Sequence, residues 1–303
     1  AGVNTIDSGA GNDTITLGTG ADNITAGAGN DIISGAGDAD IIQGGAGDDD
    51  ITGGAGNDSL TGNAGNDTFR ANSGVDTITD LSTGDILIVS GSATANATNI
   101  AAFVATNNTT NGGTANLSGS NTSITIDMTL SASGAYTITG GTGSDTLKGG
   151  TGADTIIGGA GNDTITGGAN NDSLTGSAGN DTFNVDSGTD TITDLGKDND
   201  VHVVSSGATA NATNVSSFTA TSGTSNSGTA TLTAASGGGT INMALSSSGA
   251  YTLTGAGGAD NLTGGSGADT FVFNSATGID TIVDFSTAAD VMNFARTIFA
   301  LES

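Results

Sequence analysis

The chain has 303 residues, of which four are Lys or Arg and 31 are Asp or Glu, giving a net charge of −27 at neutral pH. So acidic a chain is not expected to bind nucleic acid or to enter an anionic membrane. The absence of cysteine excludes disulfides and thiolate sites, and a single histidine, His202, argues against a His-rich metal site or a Ser/His/Asp triad.

The first predicted element is a nine-residue repeat that occupies residues 1–88. Aspartate recurs at every ninth position, glycine precedes most of these aspartates by two positions, and an apolar residue follows each by two. Such a unit predicts a tight turn, where glycine permits positive φ, followed by a short strand with one buried side chain. The repeated aspartates are Asp13, Asp22, Asp31, Asp40, Asp49, Asp58, Asp67, Asp76 and Asp85.

Two nonapeptides would close one flattened coil, and successive coils would stack as parallel strands about 4.8 Å apart. Aspartates two repeats apart, such as Asp13 and Asp31, would then lie above one another. Stacked carboxylates repel unless a cation lies between them. A site of six to eight oxygens suits calcium better than magnesium, which requires a strict octahedron. The pattern therefore predicts an all-β parallel solenoid with metal sites between its coils.

A Ser/Thr/Ala-rich spacer, residues 89–139, follows the first array. Its segment 100–104 fits one face of a short helix, as does 215–218 of a second spacer. Its segment 124–130 alternates apolar and polar residues as a strand does. We expect irregular β coils that continue the solenoid or pack on it, the alternative being a separate small β module.

The pattern then returns in a second array, residues 140–202, with its register reaching Asn199 and Val201. His202 would follow on an outward-facing strand position and be solvated. A second spacer, residues 203–254, precedes a short third array with an apolar C-terminal end, residues 255–303. The aspartates of these arrays are Asp145, Asp154, Asp163, Asp172, Asp181, Asp190, Asp260 and Asp269.

The repeat 53–61, Gly-Gly-Ala-Gly-Asn-Asp-Ser-Leu-Thr, resembles the nonapeptide of RTX (repeats-in-toxin) calcium-binding proteins, and the repeat 158–166 does so equally. The resemblance implies a calcium-binding parallel β-roll of RTX coils, here with β-rich spacers. The stacked aspartate pairs of the sequence correspond to about a dozen Ca²⁺ ions. The resemblance also implies that each ion takes the aspartate carboxylates of two adjacent turns together with turn carbonyls.

The resemblance implies that the metal ligands are sixteen of the array aspartates and the glycines of their turns. For Asp13 and Asp31 the carbonyls would be those of Gly9 and Gly11 below and of Ala26 and Ala28 above. The aspartates are those of the three arrays except Asp85, and the glycines are Gly9, Gly11, Gly18, Gly20, Gly27, Gly29, Gly45, Gly47, Gly54, Gly56, Gly141, Gly143, Gly150, Gly152, Gly159 and Gly161.

Two departures from the pattern bear on these sites. Asp38 occupies the glycine slot before Asp40, and residues 82–84 before Asp85 are not a Gly-rich turn, which weakens the case for calcium at both. Each array ends with a similar short sequence that contains one further aspartate. These aspartates are either ligands of a terminal calcium or turn-forming residues that cover the last coil, and they are Asp80, Asp194 and Asp284.

No segment resembles a catalytic domain, so we expect no enzyme. The main hypothesis is a secreted, calcium-dependent structural protein that folds outside the cell and self-associates in a surface layer or fibre. The alternatives are a stalk or C-terminal region of an adhesin, or the RTX module of a larger toxin or hydrolase. The resemblance implies export by type I secretion to the bacterial surface, with the apolar end as its signal or as a plain end cap.

Overall fold

The computed structural model describes residues 2–196 and 198–294. Within them every regular element is a β-strand, so the expectation of an all-β fold is confirmed. None of the described segments is a helix that is long and apolar enough to span a membrane. The chain divides into two compact units, Ala1–Thr155 and Ile156–Ser303, which are described separately below.

Unit 1 is a stack of coils in which consecutive strands lie in different sheets. Its strands are β1 (Thr5–Ala10), β2 (Thr14–Thr16), β3 (Asn23–Ala28), β4 (Ile32–Gly37), β5 (Ile41–Ala46), β6 (Asp50–Ala55), β7 (Ser59–Ala64), β8 (Thr68–Ala71), β9 (Val75–Ile78), β10 (Ile86–Val89), β11 (Thr94–Ile100), β12 (Ala102–Val104), β13 (Thr110–Asn111), β14 (Thr114–Gly119), β15 (Thr125–Asp127), β16 (Tyr136–Thr142) and β17 (Thr146–Gly150).

Three parallel sheets form the walls of this unit. Strands β1, β3, β5, β7, β9, β11, β14 and β16 follow one another in the first sheet. Strands β2, β4, β6, β8, β10 and β13 form the second, and β12, β15 and β17 lie together in the third. Ile6 pairs with Ile24, and Ile15 pairs with Ile33, so each array coil is two nonapeptides long as predicted.

The core is a column of apolar side chains between the sheets. Ile24, Ile42 and Leu60 point into it from one sheet, and Ile33 and Ile51 from the other, all essentially inaccessible to solvent. Each is the residue two positions after a repeat aspartate, where strand alternation directs it inward. The apolar residues that lie at a fixed distance from the aspartates in the sequence therefore form one continuous core.

The spacer of unit 1 continues the same stack. Strands β11 and β14 lie between β9 and β16 in the first sheet, so the alternative of a separate module is wrong. The helical spacing at 100–104 does not produce a helix. Asn99 has a φ of 60° where the register shifts, and the chain turns a corner between β11 and β12. This corner, and not a helix, lets both Ile100 and Phe103 point inward.

The last residue of the alternating segment 124–130 also differs from expectation. Ile124, Ile126 and Met128 are buried, but the side chain of Leu130 is 55% exposed because β15 ends at Asp127 and a turn follows. Leu245 in the second spacer is exposed in the same way.

Unit 2 has the same construction. Its strands are β18 (Thr155–Ala160), β19 (Thr164–Gly168), β20 (Ser173–Ala178), β21 (Thr182–Val185), β22 (Thr189–Ile192), β23 (Val201–Val204), β24 (Thr209–Val215), β25 (Ser217–Thr219), β26 (Ser225–Asn226), β27 (Thr229–Ala234), β28 (Thr240–Asn242), β29 (Tyr251–Gly255), β30 (Asn261–Thr263), β31 (Thr270–Phe273), β32 (Thr281–Ile282) and β33 (Val291–Phe294).

Strands β18, β20, β22, β24, β27, β29, β31 and β33 follow one another in one sheet of this unit. A second sheet holds β19, β21, β23 and β26, and a third holds β25, β28, β30 and β32. The segment 215–218, which also has a helical spacing, is again a corner between two strands, with Asn214 at a φ of 59°. The apolar C-terminal end includes Val291 and Phe294 of β33, while residues 295–303 lie outside the described residues.

The expected register of His202 is wrong by one residue. Phe183 pairs with His202 and not with Val201, so the imidazole lies in the core with no exposed surface. Neither ring nitrogen has a hydrogen-bond partner, and burial lowers the pKa of His202 to about 4. The shift arises because the loop before β23 is one residue longer than its counterpart in unit 1.

Candidate metal sites between the coils

The turn before each repeat aspartate is compressed against the turn below it. Gly27 and Gly29 have φ of 116° and 127°, and a Cβ on either would overlap a carbonyl group of the preceding coil. Non-glycine residues also take positive φ in some array turns: Asp38 and Asn170 stand at the position of Gly29, with φ of 72° and 78°, and Ala36, Asn63 and Ser177 stand at the position of Gly27, with φ of 77°, 71° and 77°. Asp38 therefore leaves the turn of Asp40 intact.

One carboxylate oxygen of most array aspartates joins two coils. Oδ1 of Asp31 accepts the backbone N–H of Asp13 at 2.7 Å, and Oδ1 of Asp40 accepts that of Asp22 at 2.7 Å. Within the units the same bond links the following pairs, in which the second residue is the acceptor: Asp31/Asp49, Asp40/Asp58, Asp49/Asp67, Asp58/Asp76, Asp163/Asp181 and Asp172/Asp190. The structure thus stacks these predicted residues above one another.

The residue before the aspartate forms a second ladder of opposite direction. Oδ1 of Asn12 accepts the backbone N–H of Asn30 at 2.9 Å, and Oδ1 of Asn30 accepts that of Asp48 at 3.1 Å. The Asn-Asp pair of the nonapeptide therefore binds the coil below with one side chain and the coil above with the other. Sequence reasoning assigned no role to this asparagine.

The other carboxylate oxygen, Oδ2, is buried and has no hydrogen-bond partner in many of these aspartates. Such an atom is costly to bury unless something binds it, because the carboxylate has lost its water. The aspartates concerned include Asp13, Asp22, Asp31, Asp40, Asp49, Asp58, Asp76, Asp190, Asp260 and Asp269.

These oxygens point into a small space over a glycine five residues earlier in the chain. A Cβ placed on Gly167 would lie 2.5 Å from Oδ2 of Asp172 and 3.0 Å from Oδ2 of Asp190, so the oxygens of two coils converge there. A Cβ on Gly35 would likewise approach Oδ2 of Asp40, with the carbonyl oxygen of Gly53 at 2.8 Å. Two carboxylates therefore face the space over Gly167, and a carboxylate and a carbonyl face the space over Gly35.

The electrostatics of this space favour a cation or a proton. Burial, reinforced by the neighbouring carboxylates, raises the pKa of Asp67 and Asp181 to about 6, against the effect of the N–H bond that each accepts. The same causes raise the pKa of Asp76 and Asp190 to about 7. A bound divalent ion would reverse this shift by stabilising the anionic form.

The donor set fits calcium. The donors are oxygens only, as a hard cation requires, and the flexible carbonyl-lined turns allow a coordination number above four. No group of three or more His, Cys, Asp or Glu side chains that could hold a metal occurs in the described part of the chain. Each site must therefore complete two carboxylates with backbone carbonyls, as the proposed ligands Gly9, Gly11, Ala26 and Ala28 would do.

One row of each array ends at an aspartate whose two oxygens are both occupied. Oδ1 of Asp85 accepts the N–H of Asp67, and its Oδ2 accepts the N–H of Ser82 at 2.7 Å. Asp200 does the same with Asp181 and Gly196. We call Asp85, Asp200 and the equivalent Asp290 the closing aspartates. They explain why the turn before Asp85 departs from the repeat.

The further aspartate in the short sequence at the end of each array covers a turn. Oδ1 and Oδ2 of Asp80 accept the N–H groups of Gly62 and Asn63 at 3.0 and 2.7 Å. Asp194 binds Gly176 and Ser177 in the same way, and Asp284 binds Gly264 and Gly265. We call these the capping aspartates. Their oxygens are used by backbone donors, which supports the turn-forming alternative.

The third array contains one aspartate, Asp290, that the sequence reasoning missed, and one, Asp280, that it placed two residues out of the nine-residue register. Oδ1 of Asp280 accepts the N–H of Asp260, and Oδ1 of Asp290 accepts that of Asp269. A Cβ on Gly255 would lie 3.0 Å from Oδ2 of Asp260 and 3.5 Å from Oδ2 of Asp280. These coils are longer than two nonapeptides, so a search for a strict period of nine does not find the pairing. The short sequence that recurs at the end of each array does indicate it.

The profile of the RTX calcium-binding nonapeptide repeat family matches residues 1–33, 18–51, 43–78, 139–174, 158–192, 236–271 and 246–282, together more than half of the chain. The chain belongs to this family. It is thus a calcium-binding RTX protein, and the stacked coils of both units are its β-roll. A comparison with curated proteins found no match.

Proposed function

We propose that this RTX chain is a non-catalytic extracellular structural protein whose arrays fold when they bind calcium outside the cell. The observation that carries the proposal is the row of buried Oδ2 atoms that lack hydrogen-bond partners, such as those of Asp22, Asp40 and Asp58. In the folded chain these carboxylates need a counterion, and millimolar extracellular calcium would supply one at each pair.

Folding and binding are coupled because each site is built from two coils. Extracellular calcium modules bind with dissociation constants of about 10⁻⁴ to 10⁻³ M. At a tenfold excess of calcium, each such site contributes about 1.4 kcal/mol to folding. Several sites together reach the whole stability of a typical domain, about 5–15 kcal/mol. At cytosolic calcium the arrays would remain unfolded, a state compatible with type I export.

Circular dichroism and calorimetric calcium titration test this proposal. We expect β-structure to increase strongly between EGTA and millimolar calcium, with about a dozen ions bound. Asp58→Asn keeps an acceptor for the N–H of Asp40 but removes one charge shared by two sites, so it should reduce the number of bound ions. Arrays that are fully folded in EGTA would overturn the proposal.

Self-association is the part of the proposal that concerns assembly. The exposed side chains of Leu130 and Leu245 recur at equivalent places in the two spacers and provide repeated apolar contact points. Electron microscopy in calcium should show ordered filaments or lattices, and Leu130→Ser with Leu245→Ser should weaken them. Ile32→Ser, at an exposed isoleucine of the first array, is the control. Persistently monomeric protein would favour the adhesin-stalk alternative.

A further inference from the structure

The spacer coils keep the ladder of the arrays but replace its charged residue. In the first sheet of unit 1, Asp76 pairs with Ala95, Ala95 with Ala115, and Ala115 with Tyr136. In unit 2 the corresponding column is Asp190, Ala210, Ala230 and Tyr251. The parallel strand pairing is therefore the same in spacer and array, whereas the stacked carboxylates are confined to the arrays.

The buried polar groups of the spacers are satisfied by the protein itself. The side-chain amide of Asn111 donates to the carbonyl of Ala135 and accepts the N–H of Gly113 at 3.0 Å. Asn226 makes the equivalent bonds to Ala250 and Gly228. Unlike the aspartate oxygens of the arrays, these groups require no added ion.

The spacers also carry almost no charge. Asp127 is the only acidic residue between 89 and 139, and its carboxylate lies 2.8 Å from Nζ of Lys148. This contact and nearby hydrogen bonds lower the pKa of Asp127 in spite of its burial. Residues 203–254 contain no Asp, Glu, Lys or Arg. Electrostatic repulsion therefore does not oppose the folding of either spacer.

Protein groups also close the boundaries between spacer and array. Below Asp154, the repeat position is taken by Tyr136, whose N–H donates to Oδ1 of Asp154 at 2.7 Å. Ser131 lies five residues before Tyr136, at the place where the arrays have a glycine five residues before the aspartate. Its hydroxyl is hydrogen-bonded to the Tyr136 hydroxyl at 2.6 Å. The Ser/Tyr pair thus stands at the positions that Gly167 and Asp172 occupy in the array. Ser246 and Tyr251 form the same pair in unit 2.

We infer that the two spacers, residues 89–139 and 203–254, fold without calcium and present preformed strand edges on which the array coils stack when calcium arrives. This inference rests on the proposed calcium-dependent folding of the arrays and divides that process into two stages. Without calcium, the full chain consists of two folded segments joined by unfolded acidic arrays. With calcium, each array extends the ladder from an existing edge and avoids the slow formation of a first coil.

Hydrogen exchange with mass spectrometry on the full chain in EGTA tests the first stage. We expect spacer amides such as those of Asn116 and Thr231 to exchange at least about tenfold more slowly than in an unfolded chain. Array amides such as that of Asp40 should exchange at the unfolded rate until calcium is added. Unprotected spacers in EGTA overturn the inference, whereas protected arrays in EGTA overturn the proposed function instead.

Phe103→Ala tests the second stage, because Phe103 is a fully buried side chain of the first spacer. In EGTA it should abolish protection in residues 89–139 and leave residues 203–254 protected. It should also raise the calcium midpoint for array protection in residues 1–88 at least about twofold, since the preformed edge is lost. Phe218→Ala is the matched variant in unit 2. An unchanged midpoint in both variants would show that the spacers are not templates.

Discussion

The closing turns of the two units, residues 80–87 in the first and 194–202 in the second, are held by the same hydrogen bonds but differ in length by one residue. Asp85 stands 18 residues after the aspartate whose N–H it accepts, and Asp200 stands 19 residues after its own. Both also accept an N–H from within their own loop. The register of the last coil is therefore determined by these two hydrogen bonds and not by a count of nine residues.

The longer turn has a consequence two residues later. Leu87 enters the core in unit 1, whereas His202 enters it in unit 2, and both are inaccessible to solvent. A leucine needs no polar partner, but both imidazole nitrogens of His202 lack one. Two ends that are closed by the same pair of hydrogen bonds thus differ in how they respond to pH and to substitution.

Removal of the closing aspartates should have the largest effect. Asp85→Ala leaves the N–H groups of Asp67 and Ser82 without their acceptor, which should cost about 2–4 kcal/mol in calcium-saturated urea unfolding. Asp200→Ala should cost a similar amount. Neither should change the number of calcium ions bound as strongly as Asp58→Asn does. A marked loss of ions in the Asp85 variant would mean that this residue is itself a ligand.

The second prediction concerns pH. Because the pKa of His202 in the fold is about 4 and its usual value is 6.5, the folded chain favours the neutral imidazole. The contribution of the neutral imidazole to the free energy of unfolding is fully present above pH 6.5. As the pH falls through 6.5 towards 4, about 3 kcal/mol of this free energy is lost. The difference in unfolding free energy between the natural chain and His202→Leu should therefore grow over this range. A constant difference would refute it.

At pH 7, substitution of these two core residues should have a smaller effect on stability than removal of the closing aspartates. His202→Leu should stabilise unit 2 by about 1–3 kcal/mol, because it replaces two unpartnered polar atoms with an apolar side chain. The reciprocal Leu87→His should destabilise unit 1 by a similar or larger amount. Thermal unfolding of each variant at saturating calcium measures both. Destabilisation by His202→Leu would point to a partner for the imidazole.

The smallest effect is expected where the two ends are alike. Asp80→Asn and Asp194→Asn each retain one acceptor oxygen and lose the other, so one of two turn N–H groups loses its bond. We expect a cost of about 1 kcal/mol in each unit. Unequal costs in urea unfolding would show that the capping aspartates are not equivalent.

The regular arrays could be predicted from the sequence because every repeat obeys the same local rule. The fixed offset between Asp31 and Ile33 determined which side chains are buried, and the glycine pair determined where the turns lie. The coil length, the stacked aspartates and the calcium-binding family all followed from this periodicity. The carbonyl ligands and the number of ions remain predictions.

The irregular parts could not be predicted in this way. Ile100 and Phe103 have a helical spacing, yet a corner between two sheets places both in the core. The pairing of Asp260 with Asp280 depends on a longer coil, and the burial of His202 depends on one extra residue in a loop. In each case the partner lies on a neighbouring coil, and local spacing does not contain that information.

The sequence by itself determined the repeating unit, its strands, its apolar column and its excess of carboxylates, because these depend on residues within one nonapeptide. Only the tertiary structure decided which oxygen of each aspartate is used by the ladder and which is left facing a neighbour's carboxylate. It also decided where the rows end. Those features arise from contacts between coils, where a side chain meets the backbone of residues a full coil away.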